Sequence, residues 1–445
     1  MARYLWNFTN NITVGINQGK AHGLSSFDIA KLEDIDLMII VDSMSAKEDY
    51  QKILDMGVSI INLDHHKISD DIMSIRDDIH LVSSQYDEYE NKALSGAGVC
   101  WKFCKYMDEI QWTDYADALV DLATCGIIAD MSSVGLDSME NRYICSLGFN
   151  NQANIAVNKI NGTYAFNAQA VSFGIAPLVN SANRLGNNEM ALRLFLSDDE
   201  REVKEIIKEL KSDREWQNAD ITRMLPSVMK QFESQKDNKC LYFFIDSDTE
   251  VAGLIGNKLL ELYQRPLFVL KNTDGADFAG SMRAVGVDDF AKIVNDTGIG
   301  RCMGHELAAG AFIPKDRFDE FRIKIEEALA SIEFKQTVDI DLLLDERQIN
   351  DELIRQIKVL NKISGSGFKP VNVMIDGITD YRIESMSKGK HLKIVTPNMI
   401  FIKWNFNGWD DINEGMTLKA YGQLDCGFFG RTFYRQLIMT DFELT

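Results

Sequence analysis

The first part of the chain alternates short unbroken apolar runs with stretches whose apolar residues recur at helical spacing. Two runs, Leu37-Met38-Ile39-Ile40-Val41 and Val58-Ser59-Ile60-Ile61-Asn62-Leu63, are each followed by an aspartate, Asp42 and Asp64. Aliphatic runs that stop at a polar residue predict parallel strands buried on both faces. Their alternation with helical patterns predicts an α/β domain with a parallel sheet over residues 1–195. Ligands of such sheets bind beyond the carboxyl ends of the strands, which is where both acids fall.

From about residue 198 to 235 the pattern becomes helical. Val203, Ile206, Ile207 and Leu210 repeat at helical spacing, and Ile221, Met224, Leu225, Val228 and Phe232 do so again, with Pro226 as a predicted kink. Charges of both signs cover the rest of this stretch, as on a solvated face, so residues 196–236 read as a connecting helix. The α/β pattern then restarts over 237–334, with strands at 241–245 and 267–270 around a helix at 253–263. This predicts a second, smaller α/β domain. Residues 335–445 change character. Strand-like runs at 371–375, 391–395, 400–406, 416–424 and 432–439, separated by Gly or Asn turns, predict a small C-terminal β-barrel.

Composition narrows the class. A chain of 445 residues can bury several cores, and 45% hydrophobic with 26% charged residues places it with globular rather than disordered proteins. No run approaches the roughly 18 to 20 apolar residues of a membrane helix. The opening residues Met1 to Phe8 lack the apolar region of a secretory signal. Seven cysteines without a CxxC pair argue against a disulfide framework and a thiolate zinc site, so a reducing cytoplasm is the expected home. The net charge of −20 excludes a surface that grips nucleic acid all over. It is compatible with a phosphoesterase, whose carboxylates hold metals and which needs only a positive groove.

Asp64-His65-His66 is the sharpest local feature. A lone histidine is more often a hydrogen-bonded structural residue than a ligand. Here two of the six histidines sit side by side, after a strand and an acid. Carboxylate oxygen mixed with imidazole suits manganese, iron or zinc better than calcium. Asp42 ends the neighbouring strand, and Asp130 closes an apolar helix over 118–129. Taken singly, each acid reads equally as a helix cap or a turn residue. Three acid or histidine positions at three element ends together predict a metal or phosphate site.

With these residues in view, the chain resembles the RecJ single-stranded-DNA exonucleases of the Asp-His-His phosphoesterase superfamily. Val41-Asp42-Ser43, Asp64-His65-His66 and Ala129-Asp130 are similar to that superfamily's second, third and fourth motifs. The stretch from Gly126 to Arg142, and Phe173-Gly174-Ile175-Ala176-Pro177-Leu178-Val179-Asn180-Ser181-Ala182-Asn183-Arg184-Leu185-Gly186, resemble RecJ segments. Gly280-Ser281-Met282-Arg283 and Gly304-His305-Glu306-Leu307-Ala308-Ala309-Gly310 resemble the two signatures of the associated substrate domain.

The resemblance implies Asp42, His65 and Asp130 as metal ligands, with Asp42 bridging, for two manganese or magnesium ions. It implies that Asp64 orients the metal shell and that His66 meets the scissile phosphate. Arg184 and Asn180 would hold a phosphate near the cleft. Ser281, Arg283, Gly304 and His305 would contact the substrate from the second domain. Without the family context, Arg184 reads as an ordinary surface ion pair. The C-terminal region would be an oligonucleotide-binding barrel, with Phe428, Phe429, Phe433 and Tyr434 stacking bases beside Arg431 and Arg435. The same aromatics would equally serve to fill a barrel.

The chain departs from the family in one large respect. The first motif, an Asp-x-Asp set after a strand, should lie upstream of the region 12–23. Asn10 to Thr13 holds no aspartate, and the first acid is Asp28. The expected consequences are an under-coordinated metal and an exposed strand edge. Either an upstream segment or a separate fragment supplies the motif, or the protein is a degenerate member kept for binding. Smaller departures are Asn183 and Met303, where the family carries Gly.

The leading expectation is a 5′-to-3′ exonuclease on single-stranded DNA in repair, recombination or replication, with a single-strand-binding protein or a helicase as further partner. The alternatives are a catalytically impaired single-strand-binding or replication-partner protein, and a phosphodiesterase of short oligonucleotides or cyclic dinucleotides.

Overall fold

The computed structural model describes residues 1–17, 23–24, 34–246, 251–334, 339–406, 408–409, 412, 415–429 and 432–445. Asp28, Arg431 and part of the 12–23 region lie outside these, as do the side chains of Phe428 and Phe429. Strands β1 (Leu37–Val41), β2 (Ser59–Asp64) and β3 (Leu81–Ser83) form a parallel sheet in the order β1-β2-β3. Val41 pairs with Leu63, and the Asp42 amide donates to the Leu63 carbonyl at 2.9 Å. This register brings the carboxyl ends of β1 and β2 together.

The expectation of burial on both faces holds for β2, where Ile60, Leu63 and Asp64 are wholly buried. It fails for β1. Leu37 and Val41 are 45% and 41% exposed. The reason is position: among the described residues β1 pairs only with β2, so it forms the margin of the sheet. The helices α1 (Gly96–Gln111), α2 (Val120–Ala129) and α3 (Met139–Gly148) pack with β2 around one core. Helix α2 is apolar nearly all round, and Val120, Ala123, Ile127 and Ile128 are buried, which fits a central helix enclosed by others.

A single π-helical turn over Val171–Ile175 leads into α4 (Ala176–Arg184). The connecting helix follows as α5 (Glu200–Met229), 30 residues or about 45 Å long. It contains Pro226 and passes into a 3₁₀ turn at Lys230–Ser234. Val203, Ile206, Ile207 and Leu210 pack into the first lobe, whereas Ile221, Met224 and Val228 pack into the second.

The second lobe is a five-stranded mixed sheet in the order β4-β5-β6-β8-β7. It comprises β4 (Leu241–Ile245), β5 (Leu267–Asn272), β6 (Asp277–Arg283), β7 (Arg301–His305) and β8 (Ala308–Pro314). Helix α6 (Ala252–Tyr263) connects β4 and β5, which run parallel, and the remaining pairs are antiparallel.

The C-terminal region is a seven-stranded sheet in the order β11-β12-β13-β15-β14-β10-β9. Its strands are β9 (Leu342–Leu344), β10 (Val373–Ile378), β11 (Arg382–Met386), β12 (His391–Val395), β13 (Ile400–Lys403), β14 (Leu418–Phe429) and β15 (Thr432–Leu444). Helix α7 (Asp351–Asn361) covers its core through Ile354 and Ile357. Among the described residues no pairing joins β11 to β9, so the pairings trace an open sheet rather than a closed barrel. Arg435 is also placed differently from expectation. It donates to Asp351 at 2.7 Å and to the Ile349 carbonyl at 3.1 Å, which ties the sheet to α7 and occupies the guanidinium.

Candidate metal centre and substrate cleft

Asp42 is the first residue after β1 and takes a left-handed backbone, φ +54°. An aspartate tolerates this conformation better than most residues, because its short polar side chain can bond locally. Asp64 is the last residue of β2, and His65 and His66 follow it directly. Asp64 is wholly buried. Its Oδ1 accepts from the His65 amide at 2.7 Å and lies 2.8 Å from His66 Nδ1. That contact selects the tautomer in which His66 Nδ1 carries the proton, leaving Nε2 of a half-exposed ring directed outward.

His65 sits between two acids. Its Nε2 is 3.2 Å from Asp42 Oδ1, and its Nδ1 is 3.8 Å from Asp130 Oδ2. Asp130 is the C-cap of α2, and Ser132 Oγ donates to it at 3.0 Å. Donor atoms of Asp42, Asp64, His65 and His66 all lie within 4.8 Å of one another. Asp64 Oδ2 is buried with no hydrogen-bond partner among the described residues. An orphaned carboxylate oxygen facing three further oxygen and imidazole donors fits a divalent cation, for which mixed carboxylate–imidazole sites favour manganese-type ions.

The electrostatics agree. Burial works to lower the pKa of His65. Its hydrogen bond to Asp42 and the charges of Asp130 and Asp42 outweigh that and raise it. His66 is raised chiefly by its hydrogen bond to Asp64. A cation placed among these carboxylates would replace the protons they attract to the imidazoles.

One participant escaped the sequence reading. Gly96 opens α1, and a Cβ built there would meet Asp42 Oδ1 at 2.2 Å. Ser95 caps the helix, its Oγ accepting from the Gly98 amide at 3.2 Å. The available signal was Gly96-Ala97-Gly98 directly after a capping serine, since two glycines in a first helical turn are unfavourable unless something approaches closely.

The second group of predicted residues lies on the other lobe. In the register of β6, β8 and β7, Arg283 stands opposite Ala308, which stands opposite His305, so Arg283 and His305 flank one small residue. Arg283 donates to Asn257 Oδ1 at 2.7 Å, Ser281 Oγ at 2.6 Å and the Met282 carbonyl at 2.7 Å. Among the described residues no carboxylate pairs with it. Burial, and after it the charge of Arg184 on the first lobe, press its pKa down. Gly304 has φ +140°, and a Cβ there would crowd Ala309. Asn180 is exposed on α4, and its carbonyl accepts from Arg184 Nη1 at 3.3 Å.

A parallel sheet presenting Asp42 and the Asp-His-His run at its carboxyl end is joined by a long helix to a mixed-sheet lobe, the arrangement expected of an Asp-His-His phosphoesterase. No protein-family model matches the chain. Its similarities lie with RecJ-type proteins. It is 27% identical over 412 residues to YorK of Bacillus subtilis strain 168, a prophage-derived protein named as a single-strand DNA-specific exonuclease. That alignment covers 84% of this chain and 70% of the relative. Against the single-stranded-DNA-specific exonuclease RecJ of the same organism, identity is 24% over 400 residues, covering 86% of this chain and 50% of the relative. The crystal structure of RecJ from Thermus thermophilus in complex with Mn2+ superposes with a TM-score of 0.77 at 22% identity. It covers 93% of this chain and 62% of that one. The chain thus spans about half to two thirds of the length of these RecJ relatives.

Proposed function

We propose that the chain hydrolyses phosphodiester bonds of single-stranded DNA, releasing nucleotides from the 5′ end in repair, recombination or replication. The observation that carries this reading is the cluster of Asp42, Asp64, His65 and His66, whose donor atoms lie within 4.8 Å of one another, with Asp130 on the other side of the His65 ring. Asp42, His65 and Asp130 would hold manganese or magnesium, and Asp64 would order that shell. The bound ions supply Lewis-acid stabilisation of charge on the phosphate oxygens. His66, fixed through Nδ1 by Asp64, presents Nε2 to the scissile phosphate and donates to it as the imidazolium that Asp64 favours. Arg283 holds a phosphate oxygen from the second lobe with a guanidinium already oriented by Asn257 and Ser281, and His305 stands beside it on the same sheet. Arg184, with Asn180 on the same helix, adds positive charge from the first lobe. Two guanidiniums facing one cleft give a locally positive path in an otherwise acidic protein.

The C-terminal sheet supports an oligonucleotide-binding role of the OB kind, with Phe433 exposed on β15. The described cysteines are free thiols and no described helix is long and apolar enough to cross a membrane, which supports a cytoplasmic site of action.

The test compares 5′-labelled single-stranded and duplex oligonucleotides with manganese present. Stepwise release from the single strand, with the duplex resistant, is expected. Equal cleavage of both, or of neither, defeats the reading, and faster turnover of a dinucleotide than of a long oligomer assigns the site to short substrates.

A further inference from the structure

The residues directly after Asp130 carry an apolar surface that the metal centre does not use. Met131, Leu136, Met139 and Tyr143 are each between 60% and 75% exposed. Four large apolar side chains exposed within thirteen residues are denser than the scattered exposure ordinary on protein surfaces. Met131 takes a left-handed backbone, φ +57°, where α2 ends: its N–H donates to the Ile128 carbonyl and the Ser132 N–H donates to the Ile127 carbonyl, a common helix C-cap. Met139 and Tyr143 lie one turn apart on the exposed face of α3, whose first turn lies at the end of the lobe where α2 delivers Asp130.

The patch also adjoins the C-terminal region. The Val134 amide donates to the Ser366 carbonyl at 2.8 Å, and Arg142 donates to the carbonyls of Val134 at 2.7 Å and Ile363 at 3.3 Å. The Arg142 guanidinium lies over the Phe368 ring, 4.4 Å from its centroid. The segment 131–143 is therefore the bridge between the metal centre and the chain that enters the C-terminal sheet.

We propose that Met131, Leu136, Met139 and Tyr143 form a shelf that receives nucleobases of a DNA strand running from the C-terminal sheet to the metal centre. This rests on the exonuclease reading above. The segment is continuous with the metal centre through Asp130 and touches the chain entering the sheet through Val134 and Arg142, which makes it the path we assign to a strand held by the sheet and cut at the cluster. The four side chains carry no charge and, the Tyr143 hydroxyl apart, offer no donor to phosphates, only surfaces for the flat apolar faces of bases. Thioether and aromatic groups suit such faces without selecting a sequence. The phosphates are left to the guanidiniums of the cleft.

The experiment uses the full chain and its Leu136→Ser/Met139→Ser variant, with Tyr143→Ser as an independent second variant. Binding is read by fluorescence anisotropy of a labelled oligothymidylate and of an abasic oligomer of equal length and charge, with calcium in place of manganese. Hydrolysis of both oligomers is followed in parallel with manganese. The expected result is about a tenfold loss of affinity and rise in KM on oligothymidylate, with kcat and abasic binding unchanged. Equal losses on both oligomers, or no loss on oligothymidylate while the wild type binds and cuts it, overturn the shelf alone. A wild type that neither binds nor cuts either oligomer overturns the exonuclease reading and the shelf with it. A dimer in sedimentation that the variants dissociate gives the surface to a second copy, and also overturns the proposal.

Discussion

Gly96 and Asp42 stand so close that one added methyl group at position 96 would lie 2.2 Å from the Asp42 carboxylate. The first turn of α1 and the end of β1 thus fix a single position for this acid. Gly96→Ala should push Asp42 out of reach of His65 while leaving the fold in place, at about 1–3 kcal/mol of stability lost to overpacking. Calorimetric titration with manganese checks it. The variant should bind at least tenfold more weakly than wild type, and undiminished affinity would show that Asp42 is no ligand.

Metal binding should appear as stability. A cation bound at about one hundred times its Kd adds roughly 2.7 kcal/mol, a rise of several degrees in Tm. Asp42→Asn and His65→Ala should abolish that rise. With chelator present, Asp42→Asn should melt no lower than wild type, because Asn accepts the left-handed backbone and relieves the crowding of carboxylates. Thermal scans with and without manganese distinguish the two effects.

Arg283 should govern substrate affinity rather than metal binding. Arg283→Gln removes the charge and Arg283→Lys removes the fork geometry. We expect KM on single-stranded DNA to rise about ten- to hundredfold in the first, in line with a lost charge-assisted hydrogen bond. The rise should be smaller in the second, and the manganese-induced change in Tm should be intact in both. A lost metal response would instead place Arg283 in the structure of the centre.

The pH dependence of stability has a named contributor. Glu140 accepts from Tyr89, Asn91 and Lys102 at the junction of α1 and α3. Burial raises its pKa, but these three hydrogen bonds and the Lys102 charge prevail and lower it. A carboxylate whose folded pKa is depressed stabilises the fold above its unfolded pKa and loses that contribution as pH falls through the folded value. Glu140→Gln should therefore be about 1–3 kcal/mol less stable than wild type at neutral pH, with the gap closing in acid below the ordinary carboxylate range. Denaturant titrations at several pH values test this. A gap that persists unchanged at low pH would assign it to packing.

Much of the candidate centre could be read from the chain because each of its acids ends an apolar run. Asp42, Asp64 and Asp130 stand at the ends of β1, β2 and α2, and His65 follows one of them. What the pattern does not carry is adjacency between elements distant in sequence. Gly96 lies more than fifty residues from the carboxylate it accommodates. Leu37 and Val41 look like residues of a central strand, because hydrophobicity records what could be buried and not whether a neighbour is present. Arg435 reads as a phosphate contact until α7 is seen to bring Asp351 against it. The closed barrel expected from runs of strand residues depended on a last pairing between β11 and β9, which periodicity cannot express.

The long helix α5 contributes side chains to two separate hydrophobic clusters along one continuous backbone. Melting either lobe would fray a rod on which the other depends, so units that look independent in sequence are thermodynamically linked. Calorimetry should accordingly record these two lobes unfolding in one cooperative transition.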